Sequence, residues 1–132
     1  MGFFSGLFGK RSFNSEGYLS LMDRRTATEM WIKVEEQGGF GKPSNYRSAV
    51  IDADKILEFV LSKMYPKLST TGERLKVAKD KFVGDYELYD SLWFAHKVRN
   101  ELVHNLNFEL PSSQINDVLE KFKAGLVKLG AL

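Results

Sequence analysis

The stretch Asp85-Tyr86-Glu87-Leu88-Tyr89-Asp90-Ser91-Leu92-Trp93-Phe94-Ala95-His96-Lys97-Val98-Arg99-Asn100-Glu101-Leu102-Val103-His104 reads as one long amphipathic helix. At ~100° per residue, with Arg99 as the zero direction, Leu88 and Leu106 fall at about −20°, Leu92 at about +20° and Val103 at about +40°. Ala95 falls at about −40° and Leu102 at about −60°. Arg99 therefore points from the middle of the face that should be buried. A guanidinium cannot shed its charge, and an unpaired buried charge costs several kcal/mol. An anion must meet it there, supplied by this fold, a second subunit or a ligand.

The flanking segments also have helical spacing. From Tyr18 to about Gln37 the apolar positions Leu19, Met22, Met30 and Val34 suit a helix, which Gly38-Gly39-Phe40-Gly41-Lys42-Pro43 then breaks. The Gly-Lys pair lacks the glycine spacing of a phosphate loop, so this segment reads as a connector. Ser44 is the expected N-cap of a second helix running to about Tyr65, before Pro66, with the stripe Tyr46, Val50, Ala53, Leu57, Val60, Leu61 and Met64. Asp54 lies about 60° from Leu57, at the margin of that stripe. A shorter helix is expected from Thr71 through Lys81. Pro111 starts a last one, with Ile115, Val118, Leu119, Phe122, Leu126 and Leu129 as its buried side. No segment alternates as a strand would, and no internal repeat is evident. The expected fold is an all-α, up-and-down bundle of four principal helices plus one short helix.

Composition narrows the function. The 132 residues are 43% hydrophobic, enough for one domain with its own core. Cysteine is absent, which removes disulfides and thiolate metal sites. The two histidines form no metal-ligand spacing, so neither a metal nor another cofactor is expected. A formal charge of +2 is mildly basic, compatible with a polyanion without demanding one. No apolar run approaches the ~18 residues of a membrane span, and no secretory signal is apparent, so a cytoplasmic location is expected. The chain divides into a tail over 1–17 and a bundle over 18–132. The tail is rich in glycine and carries Phe3, Phe4, Phe8 and Phe13. Phe4, Leu7 and Phe8 have helical spacing and precede Lys10 and Arg11, the pattern of a short membrane-surface anchor. The plainer expectation is a tail that folds back on the body or on a second copy.

Polar residues gather beside Arg99. His96 lies at about +60°, Asn100 at about +100° and His104 at about +140°, one ridge of i, i+4 neighbours. Trp93 and Tyr89 continue that side, and Lys97 falls at about +160°, toward solvent. A cation, an amide and two imidazoles within two turns can hold a phosphate and move a proton near neutral pH.

Arg99-Asn100-Glu101-Leu102-Val103-His104, with the preceding Trp93-Phe94-Ala95-His96-Lys97-Val98, resembles the Arg-x4-His motif late in a long helix of HEPN domains. The segments Asp54-Lys55-Ile56-Leu57 and Gly72-Glu73-Arg74-Leu75 also look like that family, and the resemblance covers roughly 44–126. It implies a homodimer in which two copies of the Arg99–His104 helix face each other. It also implies, for active members, RNA cleavage without a metal, as in toxins and defence effectors. In that scheme Arg99 holds the scissile phosphate, His104 is the general acid or base, and Asn100 orients the imidazole or the phosphate through its amide. His96, Lys97, Asp54 and Trp93 would support the site or touch RNA. The resemblance further suggests an antitoxin or a nucleotidyltransferase as partner. Leu106 stands where one toxin branch carries a modified tyrosine, so that regulation does not transfer. The alternative expectation is a non-catalytic HEPN-like dimer that binds a nucleotide, RNA or a protein. In a plain structural role, Arg99 would simply pair with Asp54 or another acid.

Overall fold

In the computed structural model, described over residues 16–38 and 43–132, the chain is an all-helical bundle. Helix α1 spans Leu21–Gly38, α2 Pro43–Met64, α3 Thr71–Val77, α4 Tyr86–His104 and α5 Ser112–Lys128, with a 3-10 segment Ala78–Phe82 between α3 and α4. Cross-contacts fix the directions. Gln37 bonds Asp52 while Gly17 bonds Met64, so α1 runs antiparallel to α2. Arg47 reaches Leu102 while Asp54 meets His96, so α4 runs antiparallel to α2. Lys128 pairs with Asp85, and Gly125 abuts Leu92, so α5 reverses once more. The four long helices thus go up and down, and α3 with the 3-10 segment closes one end.

Helix α2 is the hub, packed against α1, α3, α4 and α5. Its residues Val50, Ala53, Leu57, Val60, Leu61 and Met64 are all buried, as the stripe requires, and Tyr46 is half-buried. On α5 every expected position is buried: Ile115, Val118, Leu119, Phe122, Leu126 and Leu129. Gly125 lets α4 come close, because a Cβ there would lie 2.7 Å from Leu92 Cδ1.

Several expected boundaries move. Helix α1 starts at Leu21 rather than Tyr18, because Ser20 Oγ accepts the Asp23 N–H at 3.0 Å and caps it there. Met22 is consequently exposed, and Ala27 and Trp31 bury the α1 face with Val34. Helix α2 opens at Pro43, with Ser44 inside its first turn instead of capping it; proline suits that turn because its missing N–H has no partner to lose. The short helix keeps α-geometry only to Val77. It is capped by a reciprocal Thr70–Glu73 box, then tightens to 3-10 before Gly84 turns at φ +84°. The end of α4 differs most. Its last helical residue is His104, so Leu106, placed on the buried face by periodicity, is 91% exposed. Val103 is also exposed and Leu88 half-buried. The tail over 1–15 and the connector 39–42 lie outside the described residues, so the anchor and connector readings are not addressed by this structure.

Candidate functional site

Asp54 anchors the site. It is only 2% exposed, far inside the margin that the helical wheel gave it, because α4 lies across it. His96 Nδ1 sits 2.7 Å from Asp54 Oδ1. The carboxylate is an acceptor, so this contact selects the imidazole tautomer with its proton on Nδ1. Arg99 Nε lies 3.4 Å from the other oxygen, Oδ2. That contact is close enough for charge pairing but not aligned as a hydrogen bond, and Nε has no other partner in the structure. Arg99 Nη1 donates to Asn100 Oδ1 at 3.0 Å. One buried carboxylate therefore fixes two side chains on α4, and Asn100 steadies the outer part of the guanidinium.

The guanidinium is not sealed in. The Arg99 side chain is 24% exposed, and Asn100 is half-buried beside it. The expectation of an arginine at the centre of a closed apolar face is corrected here. Toward its carboxyl end α4 buries Val98 and Leu102, which rolls the Arg99–Val103 side partly open to solvent. The anion demanded by the sequence argument is Asp54, from this fold.

The remaining expected site residues divide between near and far. Trp93 is half-buried and meets His96 edge-on, ring centroids 5.9 Å apart. Lys97 is exposed and sets its Nζ 5.7 Å from the centre of the Trp93 ring. His104 is exposed in the final turn and shares no hydrogen bond or ion pair with the cluster. It is five residues beyond Arg99, or ~7.5 Å along the axis, and about 140° around it. Within the chain the structure thus assembles Asp54, His96, Arg99, Asn100, Trp93 and Lys97, and leaves His104 apart.

A residue not singled out in the sequence also bears on the site. Arg47 on α2 donates through Nη2 to the Leu102 carbonyl in the last turn of α4, where the helix dipole favours a cation. It lines a cleft of about 250 Å³ with Tyr46, Phe108, Leu110 and Ile115. The available signal was its position one row from Asp54 on α2, seven residues earlier, which puts both on the side facing α4. Among the described residues, no group of three or more His, Asp or Glu side chains is placed to hold a metal. None of the described helices is long and apolar enough to cross a membrane. Compared with known proteins, the chain matches no family model, no curated protein and no solved structure.

Proposed function

We propose that this chain is a metal-independent endoribonuclease of HEPN type that works as a homodimer through α4. The observation that carries the reading is an arginine clamped from behind by the buried Asp54–His96 pair while its outer edge stays open beside Asn100. A cation held in this way is already oriented for a phosphate, so little ordering cost remains when the ligand arrives. Two-pronged guanidinium contacts suit phosphate oxygens and stabilise the charge that grows on them in the transition state.

His104 supplies the proton chemistry. Acting as base, its imidazole takes the 2′-hydroxyl proton as that oxygen attacks phosphorus. Acting as acid, it protonates the departing 5′-oxygen. The bond to the 5′-oxygen breaks as the bond to the 2′-oxygen forms, leaving a 2′,3′-cyclic phosphate and a 5′-hydroxyl. Because His104 diverges from Arg99 on one helix, a facing α4 in a second copy is the natural way to bring an imidazole to the same phosphate. A toxin or defence role, with an antitoxin or nucleotidyltransferase as partner, belongs to the same proposal.

The Asp54 contact favours a second reading, a non-catalytic dimeric module that binds RNA, a nucleotide or a protein. An arginine that already has a carboxylate partner can bind an added anion without driving any reaction. End-group analysis separates the two readings. Single-stranded RNA incubated with the purified chain in EDTA should yield cyclic-phosphate and 5′-hydroxyl ends, and His104→Ala should abolish them. Binding that requires Arg99, with no RNA product under any condition, would select the second reading.

A further inference from the structure

Cleavage to a 2′,3′-cyclic phosphate moves two protons, one leaving the 2′-oxygen and one reaching the 5′-oxygen. In an in-line displacement those oxygens stand on opposite sides of phosphorus, so a single imidazole within hydrogen-bond reach of one is out of reach of the other. His104 can serve one of them. The chain has one other imidazole, His96.

The setting of His96 differs between its two nitrogens. The residue is 8% exposed, and its Nδ1 lies 2.7 Å from Asp54 Oδ1. That carboxylate holds a proton on Nδ1, so the neutral ring keeps its lone pair on Nε2. Among the described residues, the buried side-chain nitrogens and oxygens that lack a partner are Trp31 Nε1 and Arg99 Nε. His96 Nε2 likewise has no partner there but is not buried, so solvent reaches it. Trp93 packs edge-on against the ring and helps to fix its plane. Nor is His96 needed as a counter-ion for Asp54, because Arg99 Nε, 3.4 Å from Oδ2, already brings a positive charge. An amide could equally well donate to the carboxylate. What the imidazole adds is a basic nitrogen on the opposite side of the ring, one helical turn from the guanidinium.

We propose that His96 Nε2 is the general base of the cleavage, which leaves His104 as the acid. This assignment rests on the ribonuclease reading and deepens it. The 2′-hydroxyl proton passes to Nε2 as the bond between the 2′-oxygen and phosphorus forms. The bond from phosphorus to the 5′-oxygen breaks, its electron pair stays on that oxygen, and His104 supplies the proton. Asp54, already bonded to the Nδ1–H, stabilises the imidazolium that His96 becomes. Exchange of one proton with water at each ring restores both histidines. Asp54 is then a positioning residue for two groups at once, the base through Oδ1 and the phosphate-holding arginine through Oδ2.

The test is single-turnover cleavage in EDTA of two short RNAs, one natural and one with sulfur in place of the scissile 5′-oxygen. A thiolate departs without being protonated, so the sulfur RNA needs a base but no acid. His96→Asn removes the base yet keeps an amide N–H near the place of Nδ1 for Asp54. It should cut both RNAs at least about a hundredfold more slowly than the unaltered chain, while circular dichroism shows it folded. His104→Ala should be as slow on natural RNA but come within about tenfold of the unaltered chain on the sulfur RNA. His96→Gln also lacks a base and carries the same expectation should the asparagine variant not fold. The assignment is overturned if a folded His96 variant cuts natural RNA less than about tenfold more slowly, which would make His96 a structural donor only. It is equally overturned if sulfur rescues the His96 variant instead of His104→Ala. An unaltered chain that cuts neither RNA would remove the ribonuclease reading itself, and this assignment with it.

Discussion

Replacing Asp54 with asparagine probes the core of the site. The side chain keeps its shape and still offers an amide oxygen to the His96 Nδ1–H, so the change acts mainly on the charge of Arg99. At 3.4 Å, two unit charges attract by about 5 kcal/mol for an effective dielectric of ~20. Two effects reduce what is lost. The carboxylate no longer has to be stripped of water, and the 24% exposure of the Arg99 side chain lets solvent reach the orphaned cation. Breaking a fully buried pair costs about 3–5 kcal/mol, so Asp54→Asn should cost ~2–3 kcal/mol. Asp54→Ala should cost about 1–2 kcal/mol more, since it also strands the His96 N–H and leaves a gap. Urea unfolding at neutral pH measures both, with an unchanged slope showing that the difference is stability alone. Adding Arg99→Met to Asp54→Asn should recover part of the loss, with a coupling of about 1.5 kcal/mol in the double-mutant cycle. A stability within ~0.5 kcal/mol of the unaltered chain, or no coupling, would refute the view that Asp54 holds Arg99 electrostatically.

Other consequences follow from packing and titration. Gly125→Ala should destabilise by roughly 1–2 kcal/mol in urea: helix propensity gains ~1 kcal/mol, but the new Cβ at 2.7 Å from Leu92 Cδ1 costs more; a stabilised variant would show that α4 and α5 can separate freely. Arg47→Ala should cost about 1–2 kcal/mol by removing the guanidinium from the Leu102 carbonyl, and hydrogen exchange should speed up in the last turn of α4. Burial pushes the Tyr65 phenol up to about 12, with the charges of Asp80, Glu16 and Tyr18 adding to it. The folded state therefore holds this proton more tightly than the unfolded chain, which releases it near pH 10. The contribution is intact below about pH 10 and is lost as pH rises toward 12, at ~1.4 kcal/mol per unit before solvent screening. Tyr65→Phe should flatten that part of the alkaline unfolding curve, and an identical curve would remove the effect.

Much of the fold was legible because the apolar spacing on α2 and α5 is clean, and each stripe found a buried place. The site was only half legible for a related reason. A helical wheel ranks directions on one helix but does not know which neighbour covers which turn. Asp54 read as marginal because the wheel could not include α4 lying over it. Leu106 read as buried because the wheel extended past His104, where the helix ends. Arg99 needed an anion on charge grounds alone, and the carboxylate that answers it was among the candidates. The central place of His96, held between Asp54 and Trp93, was not visible in one dimension; a 42-residue separation from Asp54 leaves no local trace. The caps were not legible in the sequence reading: Ser20 and Thr70 start their helices through their own side chains, and proline at the head of α2 moved its expected start two residues earlier.

The claim on which the functional account turns is that the guanidinium held by Asp54 works on a scissile phosphate. A single-turnover rate for cleavage of a short single-stranded RNA in EDTA, compared between the unaltered chain and Arg99→Ala, measures this directly. The account predicts a fall of at least about a hundredfold, the usual loss when one preorganised charge-stabilising donor is removed. Equal rates for the two proteins would contradict it.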